Sequence, residues 1–282
     1  MKTRILMLGL LCSFWLISCN KDDDKNSSNG SSEFISSTDV DVISDDVSQI
    51  VELESDQTAS NRLTSATENF LGNCAQVTTS VSGNIVTRTI DFGTSNCTLN
   101  NGNTVRGKII LTFTNDWDAT TRTINYSFEN FYHNDNHVEG NRNVVKTILP
   151  SGHPQTTISL DMTVTTPSNA VYTVTGNRVR EFAEGYGNNI LADNVFLVHG
   201  NWTTTLPNGN THSHSVNEES PLRIIYSCDQ TVGRRRFEIV SGIATITRNN
   251  NTAVINYGDG QCDGVGTISI NGGAAITFTL RR

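Results

Sequence analysis

The stretch TTISLDMTVTT (156–166) alternates between apolar and polar residues along most of its length. Successive side chains of a β-strand point to opposite faces, so this pattern separates an apolar face from a polar one. The apolar face contains Ile158, Leu160, Met162 and Val164. The stretch therefore predicts a strand with one buried and one solvated face.

The same alternation recurs along the chain, as in VRGKIILTF (105–113) and TINYSF (123–128). GTISINGGAAITFTL (266–280) reads as two strands around an Asn-Gly-Gly turn, which is typical of a hairpin. Further strands are expected near 137–149, 171–182, 194–205, 211–226, 236–248 and 252–257.

These short strands follow one another without a segment long enough for a crossover helix, which favours an antiparallel meander. The apolar face of such a sheet has to be covered. We therefore expect a single all-β domain over residues 69–282 that is either curled into a barrel-like sheet or folded into a sandwich; the sequence leaves both open.

The first eighteen residues predict a lipoprotein signal peptide. A short positive start, with Lys2 and Arg4, precedes an apolar run at 5–17 that is too short to span a bilayer. Leu16-Ile17-Ser18-Cys19 resembles a bacterial lipobox, in which the cysteine becomes the mature N-terminus and carries acyl chains such as palmitate. An ordinary secretory signal that happens to contain Cys19 is the alternative.

Residues 19–36 are rich in Asp, Ser and Asn and predict an acidic flexible tether. Lys21-Asp22-Asp23-Asp24 resembles the signal that directs lipoproteins of Bacteroidetes-type bacteria to the outer face of the outer membrane. We expect a protein anchored in the outer membrane through Cys19 and facing the cell exterior. A plain solvated linker, compatible with the periplasmic face, is the alternative.

Residues 37–56 predict an amphipathic helix. Apolar residues recur at spacings of three and four, and Thr38 with Asp41 favours a helix start near residue 37. The stripe consists of Val40, Ile43, Val47, Ile50 and Val51. A helix of this length is marginal alone, so the stripe is expected to dock on the β domain.

Negative charge is concentrated in the N-terminal part of the chain. Residues 20–56 contain eleven Asp and Glu against two Lys, whereas residues 57–282 contain seventeen acidic and sixteen basic residues. A nucleic-acid-binding protein needs a basic face, and nothing in this distribution supplies one.

A phrase is written twice, as IDFGTSNC (90–97) and INYGDGQC (255–262), and another cysteine precedes each copy. The chain after Cys19 contains four cysteines, which allow three pairings. Export of the protein permits their oxidation. The repeat favours two local disulfides in two similar strand–turn–strand units, Cys74–Cys97 and Cys228–Cys262. Zinc ligation and a redox pair are the alternatives, although the close Cys-x-x-Cys spacing of zinc sites is missing.

Three groups of residues have the chemistry of metal ligands, and each has a simpler interpretation. His133, Asp135 and His137 lie in turn-forming sequence and suggest a solvated hairpin tip. His212 and His214 share one strand face without an evident third ligand. The acidic pair at 259 and 263 lacks the regular spacing of a calcium loop. We expect no metal and no other cofactor.

No GxSxG, HExxH, P-loop or GxGxxG motif occurs, so we predict no catalytic residues and a protein that is not an enzyme. The pairs Glu181/Glu184 and Glu218/Glu219 could be proposed as the two carboxylates of a glycosidase site. Neighbouring acidic residues in a polar loop are usually solvated, which is the simpler interpretation. Trp117 and Trp202 lie in polar sequence, where an exposed indole stacks on a sugar ring. The alternative is that they close an end of the barrel or sandwich.

Three segments of the chain resemble a group of uncharacterised flavobacterial (Bacteroidetes-type) cell-surface lipoproteins. They are TRTIDFGTSNC…GNTVRGKIILTFT (87–114), FENFYHNDNHVEG (128–140) and SGIATITRNNNTAVINYGDGQCDGVGTISING (241–272). The resemblance covers most of the chain after residue 35 and implies location and fold only, because no activity comes with it.

These observations together predict a lipid-anchored, surface-exposed envelope protein with a non-enzymatic binding or structural role. Its expected partners are the membrane and either a glycan or another envelope protein, and nucleic acid is not among them. The alternatives are an extracellular hydrolase acting on glycans and a carrier of an apolar ligand inside a curled sheet.

Overall fold

The computed structural model describes residues 24–56, 70–188, 190–226, 228 and 238–279, with the side chains of the helix described from Val40 onward. The signal segment and Cys19 lie outside the described residues. One helix, α1, spans Asp24–Ser55 and precedes all the strands. A short 3-10 turn, Leu191–Asp193, lies between two strands late in the chain.

Sixteen strands follow α1 in the part of the chain that the structure describes. Their bounds are β1 Gln76–Ser82, β2 Ile85–Asp91, β3 Cys97–Thr98, β4 Thr104–Thr114, β5 Thr121–His133, β6 Asn136–Glu139, β7 Asn141–Ile148, β8 Pro154–Thr165, β9 Val171–Glu184, β10 Val195–Thr205, β11 Thr211–Val216, β12 Leu222–Ile225, β13 Glu238–Arg248, β14 Asn251–Asp259, β15 Val265–Ile270 and β16 Ile276–Thr279.

All the strands belong to one sheet in which neighbours run antiparallel and follow nearly in chain order. β6 and β7 lie end to end between β5 and β8, and β11 and β12 do the same between β10 and β13. Two segments expected as single strands, 137–149 and 211–226, are thus each divided into two. The predicted all-β antiparallel meander is confirmed.

Over the described strands the sheet is not folded into a sandwich, and it is not a closed barrel. A sandwich needs two sheets, whereas the described strands form one. In a barrel the end strands pair with each other, whereas among the described strands β1 pairs only with β2 and β16 only with β15. The sheet instead covers its apolar face by packing it around α1.

Helix α1 is buried on nearly every side between Val40 and Ser55. The predicted stripe of Val40, Ile43, Val47, Ile50 and Val51 is 5% exposed or less, as expected for a docked face. The opposite side is buried as well, since Ser44, Asp46, Ser48 and Gln49 are all inaccessible. The helix is therefore the centre of the core rather than a lid on it.

The helix also begins earlier than expected. It starts at Asp24, so residues 24–36, expected to be flexible tether, form its first turns. Thr38 and Asp41, interpreted as a helix start, lie inside it. The carboxylate of Asp41 contacts Arg178 of β9 rather than the backbone of its own helix. Local capping chemistry and tertiary pairing use the same residue types, which explains the error.

Candidate functional site: a charged interior

The inner face of the sheet carries basic side chains at positions where the alternation would place apolar ones. In β9 the inward residues include Val174, Arg178 and Arg180, and all three are buried. The other buried cations of the inner face are Arg88 on β2, Arg122 on β5, and Arg142 and Lys146 on β7. Lysine and arginine are almost never buried without a partner, so the interior must supply negative charge.

The negative charge comes from α1 and the residue after it. Arg178 donates to Asp45 over 2.9 Å and also contacts Asp41. Arg180 lies 3.4 Å from Glu52, whose other oxygen accepts a 2.6 Å hydrogen bond from Thr156. Each of these contacts joins one helix residue to a strand more than a hundred positions further along the chain.

The C-terminal end of α1 is capped by the sheet. Its last turn holds no basic residue of its own. Arg88 instead donates to the carbonyl oxygen of Glu54, and Arg122 donates to that of Ser55 over 2.9 Å. These carbonyls lack partners within the helix, and the negative end of the helix dipole favours cations there. The next residue, Asp56, pairs with both Arg122 and Lys146.

One arginine, one tryptophan and one histidine form a stack beside the helix. The guanidinium carbon of Arg178 lies 3.9 Å from the centre of the Trp202 ring, and the His214 ring stacks on Trp202 at 5.1 Å. Trp202 pairs across the strands with Gly176, whose φ is +137°. A Cβ atom at Gly176 would lie 2.5 Å from the carbonyl oxygen of Asn201 and 2.5 Å from Cα of Trp202, so only glycine lets the two strands approach this closely.

The pKa values of His214 and of the two carboxyl groups beside the stack are shifted from their ordinary values. Burial, the charge of Arg178 and the nearby His212 lower the pKa of His214 to about 3. Asp41 lies 3.6 Å from Nδ1 of His214, but its charge is compensated by Arg178. Burial raises the pKa of Asp41 and Asp45, and the charge of Arg178 opposes that rise.

Asp46 joins the helix to a second region of the sheet. Its carboxylate accepts two 3.0 Å hydrogen bonds from the amide of Asn101 and lies 2.8 Å from Nε2 of His133. His133, expected at a solvated hairpin tip, is therefore buried and structural. Asp135 is on the surface and pairs with Arg106.

The remaining space around the stack is small. A cavity beside the stack has a volume of about 10 Å³. The residues that line it include Asp41, Asp45, Arg178 and Tyr257. This volume is about what one water molecule requires. A carrier of an apolar ligand needs a far larger cavity, and the described part of the interior holds α1 in that place.

The two tryptophans predicted as ligand-stacking residues are both engaged by the protein. Trp202 is 4% exposed, so its assignment as a stacking platform is wrong. Trp117 is partly buried between the edge of the Phe113 ring and the guanidinium of Arg122, and its Nε1 donates to Asn115 over 2.9 Å. Trp202 is thus part of the core, and Trp117 packs against it.

The structure contains the two predicted disulfides. Cys74 is bonded to Cys97 and Cys228 to Cys262, with Cα atoms 5.7 and 5.0 Å apart. Each copy of the repeated phrase ends a strand, with its first residue and its aromatic buried. These residues are Ile90 and Phe92 in one copy, and Ile255 and Tyr257 in the other.

The carboxylates considered for catalysis do not converge. Glu184 pairs with Arg223 on the surface, and Glu218 and Glu219 are exposed beside a turn. Within the described ranges no three His, Cys, Asp or Glu side chains are grouped to hold a metal ion. His212 and His214 are both buried on the inner face, where Arg178 supplies positive charge.

Comparison with known proteins adds no assignment. The chain matches no protein-family model, and neither the curated proteins nor the solved structures contain a significant match. In the part of the chain that the structure describes, the helix is not long and apolar enough to cross a membrane.

The charged interior was not predicted from the sequence, although two signals pointed to it. Arg178 and Arg180 occupy inward-facing positions of β9. A strand with one buried and one solvated face usually has apolar residues at such positions. The helix has acidic residues around its whole circumference and few cations to pair with them. An excess of one charge on a helix and of the other inside a sheet indicates that the two elements pack together.

Proposed function

We propose that the protein is a lipid-anchored, non-enzymatic component of the outer membrane that faces the cell exterior and has a binding or structural role. The observation that carries this proposal is the path of α1. The helix begins at Asp24, five positions after Cys19, and continues without a break into the centre of the sheet.

Helix α1 connects the proposed lipid anchor to the β domain. A helix of 32 residues is about 48 Å long at 1.5 Å per residue. Residues 40–55 are enclosed by the sheet, and in chain order residues 24–39 link them to an acylated Cys19.

The filled interior supports a role without catalysis. The space in which a carrier would hold its ligand is occupied by α1, and the acidic side chains of this helix contact residues of the sheet such as Arg178, Arg180 and His133. The binding surface of the domain is accordingly its outside, where a glycan or another envelope protein is the expected partner.

The anchor is tested with full-length protein expressed in a bacterium that processes lipoproteins. Cys19→Ala should abolish acylation and move the protein out of the membrane fraction, while Cys12→Ala, the same change within the signal segment, should leave it there. External protease should degrade the wild-type domain on intact cells. Membrane retention of Cys19→Ala, or complete protection from external protease, would contradict the anchor or the outward orientation respectively.

A further inference from the structure

We propose that β1 is a docking edge at which a second copy of this chain adds its own β1, antiparallel, around a two-fold axis through Thr79. β1 is the first strand of the sheet, and among the described strands it pairs only with β2. All its residues except Val77 are exposed.

The edge carries none of the features that usually prevent strand pairing. Proteins protect free edges with charged residues, proline or bulges. QVTTSVS (76–82) has no charge and no proline, and its register with β2 is continuous from Gln76 to Ser82. At the other end of the sheet β16 has only four residues, and the sequence continues with Arg281 and Arg282.

The sequence of β1 is complementary to itself. When two copies run antiparallel around Thr79, Val77 lies opposite Val81 twice, and the hydroxyls of Thr78 and Ser80 lie opposite each other. The two-fold operation keeps these pairs on matching faces, as an isologous interface requires. The occupant that fits β1 is therefore another β1.

β1 is also held ready for pairing. The disulfide between Cys74 and Cys97 fixes the chain two residues before the strand, and Arg88, itself buried, donates a 3.0 Å hydrogen bond from Nε to the hydroxyl of Thr79. An ordered edge loses little conformational entropy on association. Confinement of two copies to one membrane surface raises their effective concentration further.

The first test compares the masses of full-length variants in detergent by light scattering. Val81 and Ile276 are both 52% exposed on the two end strands, so Val81→Lys and Ile276→Lys are matched changes. By symmetry Val81→Lys alters two cross-strand pairs in the dimer. We expect two-chain masses for the wild type and Ile276→Lys and a one-chain mass for Val81→Lys. Any other pattern overturns the proposal.

A second test keeps the proposal open to refutation should Val81→Lys disturb the fold. Thr79 is the residue that faces its own copy, with Cα atoms about 4.5–5.5 Å apart in an antiparallel pair, which a disulfide can bridge. Mild oxidation of Thr79→Cys should give a covalent two-chain product on a non-reducing gel. Thr277→Cys on β16 should not. Equal crosslinking of the two variants, or none at position 79, argues against the β1 pairing.

Discussion

Arg178 of β9 and Asp41 of α1, which are 137 positions apart in the chain, form an ion pair whose side chains are 3% and 15% exposed. The same guanidinium donates to Asp45, one helical turn further on. An apolar stripe alone lets a helix slide or rotate in a groove. Charge pairs fixed to individual positions set both the depth and the rotation of α1 within the sheet.

Replacing Arg178 should therefore destabilise the protein strongly. Arg178→Met leaves the carboxylates of Asp41 and Asp45, which are 15% and 23% exposed, without their cation. Breaking a buried pair costs about 3–5 kcal/mol, and the partial exposure of the two acids places the expected loss at the lower end of that range. The free energy of unfolding from urea denaturation measures the loss. The triple variant Arg178→Met/Asp41→Asn/Asp45→Asn should recover part of it, because the two carboxylates are then gone.

The matched control for that experiment is Arg223→Met. Arg223 pairs with Glu184 over 2.9 Å on the surface, with side chains 37% and 58% exposed. Exposed pairs contribute about 1 kcal/mol or less. Equal losses for Arg178→Met and Arg223→Met would show that the charged interior does not hold the helix in place.

The low pKa of His214 predicts a specific pH dependence. Folding keeps this imidazole neutral down to about pH 3, whereas the unfolded chain protonates it below about pH 6.5. The stability it contributes is thus present above pH 6.5 and is lost as pH falls towards 3, by up to about 5 kcal/mol. Subtracting the pH profile of His214→Gln from that of the wild type should reveal this loss.

Three carboxyl groups of α1 act in the opposite direction. Burial raises the pKa of Asp41, Asp45 and Glu52, so the folded state gains protons before the unfolded state does and is favoured as pH falls. The difference profile removes this contribution because both proteins share it. His153→Gln, at an exposed position, should give no comparable difference. A flat difference profile for His214→Gln would contradict the buried neutral imidazole.

The sequence determines the class of fold because alternation is a local property. TTISLDMTVTT shows its two faces without reference to any other strand, and in β8 the alternate residues are indeed buried. The repeated phrase similarly identified both cysteine pairs, since each disulfide closes a short segment of chain.

The charged interior depends on non-local geometry and was therefore missed. Which acid meets which arginine is set by how far the sheet curls and how deep α1 lies, over separations such as the 66 positions between Arg122 and Asp56. Trp202 shows the same limit. Its neighbours in GNWTTT are polar, yet it is buried in a stack with Arg178 of β9 and His214 of β11.

The disulfides should appear in peptide mapping of protein digested without reductant. We expect one crosslinked peptide containing Cys74 and Cys97 and another containing Cys228 and Cys262. The first bond closes a loop of 23 positions, and the Cys74→Ser/Cys97→Ser variant should lose about 3 kcal/mol on the chain-entropy argument. A peptide that joins Cys74 to Cys228 or Cys262 would contradict the structure.

The repeated phrase should prove structural, with its aromatic and polar positions contributing unequally. Tyr257 is buried against the helix, so Tyr257→Ala should cost about 3–5 kcal/mol of unfolding free energy, as large-to-small changes in a core do. Asn256 is exposed, and its Oδ1 accepts a 2.9 Å hydrogen bond from the backbone N–H of Gly258. Asp91 makes the equivalent 2.8 Å bond to Gly93. At this position both copies have a side-chain oxygen that accepts a hydrogen bond from the backbone, and either Asp or Asn supplies it.

It follows that Asn256→Asp should be nearly neutral, while Asn256→Ala should lose about 1 kcal/mol, the usual net value of one hydrogen bond. Both figures come from urea denaturation of variants made side by side with Tyr257→Ala. If Asn256→Asp were as damaging as Tyr257→Ala, the amide nitrogen would have a role that the turn at Gly258 does not require. The agreement between Asp91 and Asn256 argues against that outcome, because one copy of the phrase already functions with a carboxylate in this place.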